Sequence, residues 1–65
     1  MTIEEVRAEV RHIAAAAGDP EAAHSNEDAL WANVLRAIAA GVDDAADLAA
    51  EALKTEDIRF PRWCA

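Results

Sequence analysis

The sequence predicts an all-α fold: a small three-helix bundle with an extended or irregular C-terminal aromatic tail. Three observations carry that prediction. Apolar residues recur at helical spacing in three separate segments. A start signal precedes each segment: Thr2 with Glu5 three residues on, Asp19-Pro20, and Asp43. A glycine follows each of the first two segments, Gly18 and Gly41.

The first helix is expected from about residue 3 to residue 17. Ile3, Val6, Val10, Ile13 and Ala17 form a 3-4-3-4 seam, with Glu5, Glu9 and His12 on the opposite side. Thr2 and Glu5 make a capping-box pattern, and Gly18 supplies the permissive backbone that commonly ends a helix. Asp19-Pro20 then reads as an N-cap with proline at the first helical position. A second start signal stands at Ser25, with Asp28 three residues later. Helix 2 is therefore either continuous over about 20–40 or begins near Asn26 after a short turn. Its apolar arc holds Leu30, Trp31, Val34, Leu35 and Ile38. Asp43 caps a third helix over about 44–54, with Ala45, Leu48, Ala49, Ala52 and Leu53 inward. Thr55-Glu56-Asp57 breaks or recaps the chain, leaving a tail over 55–65. In that tail Ile58 and Phe60 alternate with Arg59, and Pro61 biases Phe60 towards extended geometry. Ile58, Phe60 and Trp63 are expected to lie across the helices.

At 65 residues the chain is one domain, of marginal stability for its size. A core so rich in alanine could be completed by a second copy, so self-association into a homo-oligomer is one expectation. Cys64 is the one cysteine, which precludes an internal disulfide and fits a reducing compartment. Glu4 and Glu5 stand where a secretory leader would carry basic residues, and no apolar run approaches membrane-spanning length. The expected location is cytoplasmic, without membrane association. The net charge of -7 disfavours direct nucleic-acid binding, because an acidic surface repels phosphates. The acidity either keeps an alanine-rich surface soluble, suits a basic partner, or mimics nucleic acid.

One polar constellation stands out: Glu21, His24, Glu27 and Asp28. On a continuous helix each residue advances about 100°. Glu27 then falls beside Val34 in angle, on the apolar arc, and His24 falls near Trp31. A carboxylate on that arc is costly to bury unless it is paired. The available cations are Arg59 and Arg62 of the tail. Glu27 or Asp28 is therefore expected to bind a tail arginine, with Trp63 beside His24, latching the tail to the start of helix 2. The same cluster could instead be a solvated helix start or a binding or hydrolytic site.

No metal and no cofactor is expected. Glu9-x-x-His12 and Glu21-x-x-His24 share the Glu-x-x-His spacing of di-iron bundles, but the two histidines lie on faces that cannot easily converge. Adjacent His24 and Ser25 do not face each other on a helix, so they make no catalytic pair. Both glycines read as helix stops, which leaves no phosphate-binding loop.

Asp19-Pro20-Glu21-Ala22-Ala23-His24-Ser25-x-Glu27-Asp28-x-Leu30, followed by Lys54-Thr55-x-x-Ile58-x-Phe60-x-Arg62-Trp63-Cys64-Ala65, resembles small hypothetical proteins of actinobacteria and their phages. The likeness covers most of the chain after residue 18. It implies a source, brings no catalytic residues with it, and agrees with a paired Ala-His-x-x-Glu-Asp segment and terminal Phe-x-Arg-Trp segment. The function expected is a non-enzymatic protein-interaction module, such as a phage or mobile-element accessory protein acting on a host or phage protein. The alternatives are an acidic nucleic-acid mimic that binds a basic protein, and a metal-dependent or hydrolytic enzyme using Glu21, His24, Glu27 and Asp28.

Overall fold

A computed structural model describes residues 1–62. It contains three α-helices, α1 (Ile3–Ala15), α2 (Pro20–Ala39) and α3 (Ala45–Leu53), and a 3-10 turn (Lys54–Asp57) that continues α3. There is no strand among the described residues. Each helix packs against the other two.

Local chemistry accounts for most boundaries. Thr2 Oγ1 accepts from the Glu5 N–H at 3.1 Å, and Glu5 Oε1 accepts from the Thr2 N–H at 2.8 Å. The capping box thus fixes the start of α1. The helix ends at Ala15 rather than Ala17, and Gly18 does not adopt the left-handed conformation. The stop is set instead by the next start: the Asp19 side chain caps the Ala22 N–H, and Pro20 keeps Asp19 out of helical geometry. Helix α2 then runs unbroken through Ser25, since the Asp19 cap and the apolar seam beyond it are both satisfied by one long helix.

Gly41 does take φ 89°, and here the glycine is needed. The Gly41 N–H donates to Ile38 O at 3.0 Å and the Val42 N–H to Ala37 O at 3.2 Å, the paired bonds of a Schellman termination. The cap of α3 is Asp44 and not Asp43, and its side chain makes no capping hydrogen bond. Thr55 belongs to the 3-10 turn rather than to a free tail, so the extended segment begins at Ile58.

The core is a meeting of three narrow seams. Val6 and Ile13 come from α1, Ala23, Leu30 and Val34 from α2, and Leu48 and Ala52 from α3. Phe60 of the tail joins the same cluster and is 9% exposed. Two expected core residues lie outside it: Leu35 is 65% exposed and Leu53 is 50% exposed. The reason is angular. The buried positions of α2 run 23, 27, 30 and 34, and Leu35 sits about 100° round from Val34. Three helices cover a narrower arc than the apolar residues of α2 and α3 occupy.

Candidate functional site

Position 27 belongs to the buried seam of α2, between Ala23 and Leu30, yet it carries a carboxylate. Glu27 is 5% exposed. Burial of such a group is tolerated only with a charge partner and full hydrogen bonding. Arg62 supplies both. Its Nε donates to Glu27 Oε1 at 2.9 Å and its Nη2 to Glu27 Oε2 at 3.1 Å, a two-point contact that fixes orientation as well as charge.

The same guanidinium closes the end of α3. Nη2 also donates to Thr55 O at 2.7 Å and Ile58 O at 3.0 Å, and Nη1 donates to Phe60 O at 3.4 Å. A cation at these carbonyls complements the negative end of the α3 dipole. The guanidinium carbon lies 3.9 Å from the centroid of the Phe60 ring, so the ring face and the charge attract. Arg62 thereby ties together the start of α2, the end of α3 and the tail.

The titration of the pair follows from this geometry. Burial pushes the Glu27 carboxyl up, but hydrogen bonds from Arg62 and the Thr55 hydroxyl, with the charges of Arg62 and His24, outweigh it and hold the group below the ordinary carboxylate range. The hydrogen bond to Glu27 pushes Arg62 up.

Thr55 and Trp31 complete the cluster, and the sequence reading gave neither a place in it. Thr55 is fully buried. Its Oγ1 accepts the Trp31 indole N–H at 3.0 Å, and Ala52 O shares that donor at 3.3 Å. The signal for Thr55 lies in its spacing, because positions 48, 52 and 55 continue one inner face of α3. Among the described residues no buried side-chain polar atom lacks a partner.

The other expected site residues are placed differently. His24 Nε2 lies 3.5 Å from Asp28 Oδ1 across one helical turn, and Asp28 is largely exposed. Asp28 does not bind a tail arginine. Arg59 is exposed and makes no ion pair among the described residues, and Glu21 is exposed at the start of α2. The expected contact of Trp63 with His24 lies outside the described residues. His12 is exposed on α1. Among the described residues no group of three or more His, Cys, Asp or Glu side chains could hold a metal ion. Among the described residues no helix is long and apolar enough to cross a membrane.

Two surface depressions are formed by described residues. One lies between α1 and α2, about 420 Å³, with Glu5, Glu9, Asn26 and Asn33 on its wall. Glu5 is committed to the Thr2 cap and Asn33 accepts from Arg36 Nη1, so the wall offers no convergent buried acid or base. The other is an apolar groove of about 160 Å³ between α2 and α3. Trp31, Leu35 and Ile38 form one wall, and Ala49, Ala52 and Leu53 the other. Its volume is below the roughly 300 Å³ at which small-molecule pockets begin, so it suits protruding side chains. Trp31 lines this groove and bonds Thr55 of the Glu27–Arg62 cluster, so the indole joins the two.

Comparison of the chain with protein-family models, with curated proteins and with solved structures finds no match.

Proposed function

We propose that this chain is a non-enzymatic protein-interaction module and that the α2–α3 groove is its binding face. The observation that carries the reading is the exposure of Leu35 and Leu53 on opposite lips of one wholly apolar groove. Scattered single leucines need no explanation, whereas these two flank one apolar groove. The polar cluster supports the same reading from the other side. Glu27 commits both carboxylate oxygens to Arg62, and Arg62 also donates to the carbonyls of Thr55, Ile58 and Phe60. Such a network stiffens the wall of the groove, and its carboxylate is already engaged.

Site-specific photo-crosslinking tests the proposal. A photoreactive residue at position 35 should form an adduct with a partner protein in the native host, and the same residue at position 11 on α1 should not. The position-35 adduct should vanish with Leu53→Gln. Equal adducts from both positions, or an adduct indifferent to Leu53→Gln, would contradict the assignment of the groove.

A further inference from the structure

The groove has a charge pattern that selects among partners. The groove-facing line of α2 runs through Ile38, Leu35 and Trp31 and continues, one turn nearer the N-terminus, into Asp28. Asp28 is 72% exposed at its side chain. Across the groove at the same end lies the 3-10 turn, because Thr55 bonds the Trp31 indole. The exposed Glu56 and Asp57 follow Thr55 directly. The opposite end is the α2–α3 connection, which carries Asp43 and Asp44. Acidic residues therefore stand at both ends of an apolar channel.

Three of the nearby cations are held elsewhere, and the exposed Arg59 sits two residues beyond Asp57. Lys54 is 2.9 Å from Glu51, which also takes Arg7 of α1, so it is drawn to the α1 side of α3. Arg36 donates to Asn33, which lines the opposite depression between α1 and α2. Arg62 is held by Glu27.

Resting on the reading of the groove as a protein-binding face, we infer that its occupant is an amphipathic helix with basic residues flanking a short apolar stripe. Length and shape agree with this. Trp31 to Ile38 spans two turns, about 10 Å, which matches apolar anchors at i, i+3 or i+4, and i+7 of a partner helix. The small side chains of Ala49 and Ala52 let a partner backbone come close. A second copy of this chain is the poorer occupant, since each copy carries a net charge of -7 and would bring acid against acid.

The test uses the full chain, isotope-labelled, titrated with three 18-residue amphipathic helices that share one leucine stripe and differ in the polar face: lysine, glutamine or glutamate. The expected result is that the Leu/Lys helix shifts the Trp31 indole and the Leu35 and Leu53 signals. It should bind at least tenfold more tightly than the Leu/Gln helix, and weaken as salt rises. Leu35→Gln and Leu53→Gln should each reduce that affinity at least tenfold while leaving the circular dichroism spectrum unchanged. If the Leu/Gln or Leu/Glu helix shifts the groove signals and binds as tightly, the basic-partner inference fails and the binding face stands. If the wild-type chain instead dimerises through these leucines, the inference fails in favour of a second copy. If every helix shifts signals outside the groove, or the two variants bind unchanged, the binding face fails with it.

Discussion

Removing Arg62 should cost this protein a large part of its stability. In Arg62→Gln the Glu27 carboxylate stays 95% enclosed by the same seam but loses its only guanidinium, and Thr55 O and Ile58 O lose a shared donor. Breaking a buried ion pair by deleting one partner costs about 3–5 kcal/mol. Arg62 is itself 33% exposed, and water can partly replace it, so the lower figure of about 3 kcal/mol applies. A chain of 65 residues has about 3–10 kcal/mol in all. Urea unfolding followed by far-UV circular dichroism at pH 7 reads the difference directly. Glu27→Gln should also destabilise, and the double variant should lose less than the sum of the singles, by about 1–3 kcal/mol, because the two side chains share one interaction. An Arg62→Gln protein within about 0.5 kcal/mol of the wild type, the range of an ordinary surface substitution, would refute the reasoning, as would strict additivity.

The same pair sets a pH dependence. Its carboxyl is held below the ordinary value of 4.5, so its stabilisation is complete above that value and is lost as pH falls through the lower folded value. The stability gap between wild type and Arg62→Gln should therefore be widest near neutral pH and close under acid, measured by urea titrations from pH 7 downwards. Glu51, held low first by its hydrogen bond from Lys54, titrates in both proteins and cancels from the gap. The two glycines should respond oppositely to alanine in thermal melts. Gly41→Ala should destabilise by about 1 kcal/mol through its φ of 89° alone, since an added Cβ meets nothing within 4 Å. Gly18→Ala should be neutral or stabilising by up to about 1 kcal/mol, because its backbone is not left-handed and its surroundings are open. Thr55→Val keeps the shape and removes the hydroxyl, so it should cost about 1–3 kcal/mol in urea unfolding by depriving both Glu27 and the Trp31 indole of a partner.

How much of this was legible in the sequence depends on which signals were periodic. Glu27 could be found because helical angle alone puts it about 20° from Val34, within the apolar arc, and a buried carboxylate demands a cation. The choice of Arg62 over Arg59 follows from the extended tail: alternation places Ile58, Phe60 and Arg62 on one side and Arg59 on the other. Thr55 was harder to find, because a threonine after lysine reads as a helix break although positions 48, 52 and 55 keep one face inward. Leu35 and Leu53 were misplaced for a different reason. Periodicity reports which residues are apolar together, and it does not report how wide an arc the neighbours will cover. That width is a property of three helices in contact. The same error, seen from the structure, is the groove.

The central claim is that Leu35 and Leu53 serve binding rather than folding, and the stability of the Leu35→Gln/Leu53→Gln double variant tests it most directly. The two side chains are only partly removed from water, so the urea-unfolding free energy should fall by less than about 2 kcal/mol, and the wild-type value should not depend on protein concentration. A loss of about 4 kcal/mol or more, in the range of paired core truncations, would contradict the account and return both leucines to the core.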